Sequence, residues 1–114
     1  MPKASAATKA LPIPVAKAIK LLASDLATAR KRRRIPQRLM AERMMVSLYT
    51  LQRLEHGDPG VGLGIVATAL WVLGLTDRLA ALASPEHDAV GMTEGLRQLP
   101  RRIRKSASKT DLDF

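Results

Sequence analysis

Helix-stopping and helix-capping residues recur between positions 35 and 84 at intervals that leave room only for a set of short helices. Pro36 follows Ile35 and opens a helix, because the missing N–H of a proline costs nothing in a first turn. Ser47 has a hydroxyl that accepts one of the N–H groups left unpaired at a helix start, Gly57 stops the segment Ser47 begins, and Asp58-Pro59-Gly60 is a turn. Gly74, Thr76 and Ser84-Pro85 mark the later boundaries. The spacing predicts helices over 37–43, 48–56 and 63–73, and a fifth after Thr76 that carries Leu79 and Leu82. Upstream, Val15, Ile19, Leu22, Leu26 and Ala29 recur at three and four residues, predicting a longer helix from Val15 into an arginine run. No stretch alternates like a strand, so the expected fold class is all-α.

A chain of 114 residues has enough material for one core; at that size roughly two-thirds of the unfolded surface is buried. The expected organisation is a flexible basic arm over 1–14, a helical domain over 15–84 and a partly flexible C-terminal extension over 85–114. With no cysteine there is no disulfide scaffold, no Cys-rich zinc finger and no thiol nucleophile, and the cytoplasm is the expected compartment. Pro12, Pro14, Lys17 and Lys20 interrupt the N-terminal apolar residues, so no signal peptide is expected. The uncharged stretch Val61 to Leu75 is 15 residues long, short of the about 20 that a membrane helix needs. Its segment 63–73 is apolar on every side, which predicts a helix covered all round, either central or part of a subunit interface.

Charge is concentrated. The formal net charge is +9, and residues 1–34, with nine Lys/Arg and one acid, hold +8 of it. Arg30-Lys31-Arg32-Arg33-Arg34 is a run of five, and a second stretch from Arg97 to Lys109 has six cations and no acid. Such runs stay solvated or are taken up by an anionic partner, and a polyanion gains by releasing counterions. Helix-end cations that complement the macrodipole account for one or two of the five.

Two short helices separated by a tight turn, the second capped by serine and polar on one side, make a unit that fits the DNA major groove. Gln37, Ala41, Val46-Ser47, Leu51 and Leu54-Glu55-His56-Gly57 resemble the lambda-repressor/Cro (Xre) helix-turn-helix family, whose domain is a compact five-helix fold. The small Ala41 lets the helices approach, while Leu39 or Met40, Val46, Leu51 and Leu54 set their angle. One position departs from the pattern: Met45 stands where the family has a turn glycine of positive φ. The resemblance implies that Gln37 and Ser47 meet phosphate or the groove edge and that Leu48, Tyr49, Gln52 and Arg53 face the bases. Arg53 suits guanine, Gln52 adenine and Leu48 a thymine methyl; Leu48 and Tyr49 as mere surface cover is the alternative. Arg32, Arg33 and Arg34 read as phosphate contacts or as a solvated helix end. Residues 57–80 and 87–91 further resemble HipB-like antitoxins, which implies autoregulation of an operon and a HipA-type serine/threonine kinase toxin as partner.

Other classes fit less well. His56-x-Asp58 and His87-Asp88 are isolated pairs rather than a metal or catalytic constellation, so no enzyme, cofactor or metal is expected. Aromatic content of 3% leaves almost no stacking platform for single-stranded RNA. The stripe of the first helix is needed for a core, which disfavours a membrane-surface role. A two-fold palindromic operator predicts a homodimer, with Trp71, Leu79 and Leu82 as interface residues. The expectation is a nucleoid-associated transcriptional repressor; the alternative is an antitoxin that binds protein with weak or no specific DNA binding.

Overall fold

The computed structural model describes residues 10–99, all helical or irregular, with no strand among them. They fall into two units, one through Leu79 and one from Ala80. The division between the units falls at 79/80, where 84/85 is the expected domain boundary, and Leu79 is the last described apolar residue that packs on the first unit's core.

In the first unit, α1 spans Ile13–Arg32, α2 Gln37–Met44, α3 Leu48–Glu55 and α4 Leu63–Val72; α5, Thr76–Ala80, begins in it. The helix α1 starts two residues earlier than the stripe predicts. Ile13 and Pro14, expected in the flexible arm, are its first turn, and the Pro12 carbonyl accepts the N–H groups of Val15 and Ala16. The remainder of that expectation, residues 1–9, lies outside the described residues. The core is Leu26, Ile35, Met40, Ala41, Met44, Leu51, Leu54, Ala69, Leu70 and Leu73. Packing joins α2 to α3 and α4, and α1 to α3.

Two expectations about buried faces need correction. Along α1 the buried residues are Ala23, Leu26 and Arg30, while Val15 and Leu22 are exposed, so the core-facing line is offset from the predicted stripe. Of the two alternatives for α4, the central helix does not hold: Ala69 and Leu70 are buried, but Leu63 and Trp71, the latter 65% accessible, stand open in the single chain. A ten-residue helix packed chiefly against α2 buries one side only. Among the described residues no helix is long and apolar enough to cross a membrane.

The four longer helices of this unit end alike. Beyond each, one residue turns into the left-handed region, at Arg34 (φ 55°), Met45 (φ 59°), Gly57 (φ 78°) and Gly74 (φ 76°). The following N–H then reaches back five residues in a Schellman closure: Ile35 to Arg30 O, Val46 to Ala41 O, Asp58 to Arg53 O and Leu75 to Leu70 O. In three of the four the residue that follows is apolar and packs on the core, Ile35, Val46 and Leu75. Gly57 is also required by space. A Cβ there would lie 2.7 Å from Lys20 Cδ and 3.2 Å from Lys20 Cα, where α1 passes the end of α3, and Lys20 Nζ donates to His56 O at 2.8 Å.

The second unit comprises the end of α5, a 3-10 turn Pro85–His87 and α6, Ala89–Gln98, which Asp88 caps by accepting the Gly91 N–H at 2.9 Å. The predicted fifth helix stops at Ala80, so Leu82 lies beyond it and is 76% accessible. None of the described residues of this unit is buried. Val90, Met92 and Leu96 of α6 all face solvent.

Candidate nucleic-acid interface

The pair α2–α3 is held by a turn whose geometry follows from three residues. Met45 takes the left-handed conformation that the sequence comparison with a glycine position predicts, and its side chain is 92% accessible, so the turn is reached at a conformational cost without any packing in return. For a residue with a Cβ that cost is about 1–2 kcal/mol. Val46 tucks against the core. Ser47 then caps α3: its Oγ accepts the Thr50 N–H at 3.1 Å and donates to Thr50 Oγ1 at 3.0 Å. Met40, Ala41, Leu51 and Leu54 are buried between the helices, fixing their relation as residue sizes predict.

With Leu51 and Leu54 inward, α3 turns Tyr49 outward, with Gln52 and Arg53 half-buried beside it. Leu48, predicted to reach a thymine methyl, is half-buried and offers part of its surface. Arg53 lies over the Tyr49 ring, 6.0 Å from its centroid, and its Nε donates to Asp58 Oδ2 at 2.6 Å. The same carboxylate accepts the Gly60 N–H at 2.7 Å through Oδ1. The hydrogen bond from Arg53, then that from Gly60, holds the Asp58 carboxyl below its usual range. Arg53 is therefore already engaged, which the spacing of α3 does not reveal; an acid five residues beyond an arginine, across a glycine-ended helix, is the signal that points to it.

A second cluster fixes α3 from behind. Arg30 donates from Nε to Glu55 Oε2 at 2.6 Å, from Nη2 to Glu55 Oε1 at 3.0 Å and from Nη1 to the Ile35 carbonyl at 3.0 Å. Gln37 Nε2 donates to Glu55 Oε1 at 3.0 Å. The Arg30 and Glu55 side chains are each 8% accessible. Burial pushes the Glu55 carboxyl up, but the hydrogen bonds from Arg30 and Gln37 and the charges of Arg30 and Lys31 outweigh it and bring the group below its ordinary value. Gln37, predicted at the groove edge, thus spends its amide N–H on Glu55, and Arg30 belongs to the core rather than to the solvated run. Arg32, Arg33 and Arg34 are exposed at the end of α1, with Arg33 Nη1 donating to the Ala29 carbonyl at 2.9 Å. The exposed Arg38 and Arg43 of α2 and Lys31 add cations that the motif does not mark.

The predicted interface residues are divided between the two units. Trp71 is open on α4, Leu79 is half-buried on the first unit's core, and Leu82 belongs to the second unit. Among the described residues no group of three or more His, Asp or Glu could hold a metal ion. Comparison with protein-family models, with curated proteins and with solved structures gives no match for the chain.

Proposed function

We propose that the first unit is a helix-turn-helix domain of the lambda-repressor/Cro type, five helices in all, that binds duplex DNA in a sequence-specific way. The observation that carries this reading is the turn at Met45–Ser47, which joins two short helices at a left-handed residue and a serine cap and leaves Tyr49 outward on the second. A helix so mounted has the dimensions of a major-groove reader, and Gln52 and Arg53 have donors and acceptors suited to base edges. The exposed cations Arg32, Arg33, Arg34, Arg38 and Arg43 supply phosphate contacts. The chain then acts as a repressor on a palindromic operator, as a homodimer joined through the open face of α4 at Leu63 and Trp71. As a HipB-like antitoxin it has a HipA-type serine/threonine kinase as its protein partner.

Fluorescence anisotropy tests this with the duplex upstream of the chain's own coding sequence and a scrambled duplex, each at about 50 and 200 mM salt. Preference for the upstream duplex by roughly a thousandfold is the expected result. Equal, salt-sensitive binding to both contradicts it. Light scattering of the wild type and of Trp71→Glu tests the dimer: the expected outcome is a dimer made monomeric by the substitution.

One observation favours the second reading, a protein-interaction antitoxin with weak or no specific DNA binding. The exposed Met92 and Leu96, four residues apart on α6 and so on one face, offer apolar surface that DNA does not use. Equal binding to both duplexes, with retention of the kinase partner in a pull-down, is its signature.

A further inference from the structure

Asp58 sits among the residues assigned to DNA, yet its charge repels phosphate. Of the acids near α3, Glu55 is absorbed by Arg30, whereas Asp58 is half-exposed and points its carboxylate at Arg53, a residue assigned to base reading. Both of its oxygens are occupied. Oδ1 is fixed by the Gly60 N–H at 2.7 Å and Oδ2 takes Arg53 Nε at 2.6 Å, so the carboxylate is anchored to the turn and the guanidinium is anchored to the carboxylate. The Arg53 guanidinium also lies over the Tyr49 ring, 6.0 Å from its centroid. Gly60 makes room for the pair: a Cβ at that position would lie 3.1 Å from both Arg53 Nη2 and Asp58 Oδ1. An arginine side chain otherwise samples many rotamers, and ordering it on binding weakens the contact it makes.

We propose that Asp58 is a specificity-determining positioning residue, holding the Arg53 guanidinium in place beside Tyr49 so that Arg53 distinguishes one base pair rather than closing on the nearest phosphate. This inference rests on the DNA-binding reading of α3. Two consequences separate it from a purely structural turn. Removing the charge while keeping the turn weakens discrimination at the base pair that Arg53 reads. It also leaves binding to unrelated DNA unchanged or tighter, because a negative charge leaves the interface. A residue that only stabilised the turn would lower affinity for every duplex together.

The test uses Asp58→Asn, whose amide oxygen keeps the Gly60 hydrogen bond, with Arg53→Ala and the double variant beside it. Wild type and variants are each selected against a randomised duplex DNA library, and the base preferences are read position by position. Circular dichroism melting accompanies the selections, and Asp58→Ser, neutral and with a hydroxyl that can accept the Gly60 N–H, serves as a second variant if the asparagine form melts early. The expected result is a loss of roughly tenfold in preference at one base pair for Asp58→Asn, at the same position that Arg53→Ala relaxes, with no further loss in the double variant. Binding to a scrambled duplex is expected to be equal or tighter. A wild-type preference profile that Asp58→Asn leaves intact, or lowers evenly at all positions, overturns this inference alone. A wild type that selects no sequence overturns the DNA-reading assignment of α3 and this inference with it.

Discussion

Replacing Glu55 by alanine removes the acceptor for three side-chain donors, Arg30 Nε, Arg30 Nη2 and Gln37 Nε2, and leaves the Arg30 guanidinium with the Ile35 carbonyl alone. The Arg30 side chain is only 8% accessible, so its charge is left buried without the counter-charge of the carboxylate. Breaking one side of a buried ion pair costs about 3–5 kcal/mol. The whole stability of a unit of this size is roughly 4–12 kcal/mol at about 0.05–0.15 kcal/mol per residue. With a urea m-value of about 1 kcal/mol/M, the midpoint of unfolding should fall by about 3–5 M, read by far-UV circular dichroism at neutral pH. The paired variant Arg30→Met with Glu55→Leu should recover most of that loss, because an apolar pair of similar volume needs no counter-charge. The pH dependence has a defined sign. The folded Glu55 carboxyl titrates below its unfolded value of about 4.3, so the pair's contribution is complete above that pH and disappears as pH falls through the lower, folded value. That acid-side loss should be absent from the paired variant. A cost for Glu55→Ala below about 1 kcal/mol, the range of exposed ion pairs, would mean that Glu55 and Arg30 are not held as a buried pair.

Met45→Gly should stabilise the fold by about 0.5–1 kcal/mol, the relief of a left-handed side chain less the added freedom of glycine in the unfolded chain; a lower melting temperature would contradict the turn geometry. Gly57→Ala should cost about 2 kcal/mol in denaturant titration, since it meets Lys20 as well as an unfavourable φ. Arg33→Ala should weaken upstream and scrambled duplexes alike and lower the salt slope by about 1. A loss confined to one base pair in anisotropy titrations would instead make Arg33 a base reader.

The helix ends were legible where chemistry singles out one residue type. Ser47 has the hydroxyl that α3 needs, and Gly57 and Gly74 have no Cβ to oppose a left-handed turn. Arg34 adopts the same turn without any such preference; what drives it is the burial of Ile35 immediately after, a tertiary effect that local spacing does not encode. Within a run of five cations nothing local separates the buried Arg30 from its exposed neighbours, although its spacing of four from Leu26 and seven from Ala23 continues the buried line of α1. The Arg53–Asp58 pair spans a helix end, beyond the reach of a helical-face argument. The open side of α4 follows from how few helices the unit has to cover it, a count that its uniformly apolar sequence masks.

Amide chemical-shift mapping, as the upstream duplex is titrated into labelled protein, shows whether α3 and its turn face the DNA. Shifts concentrated at residues 45–53 and at the cations of 31–38, with 89–98 unmoved, are the expected result. Shifts confined to 89–98 and the basic stretch that follows, with 45–53 silent, would contradict it.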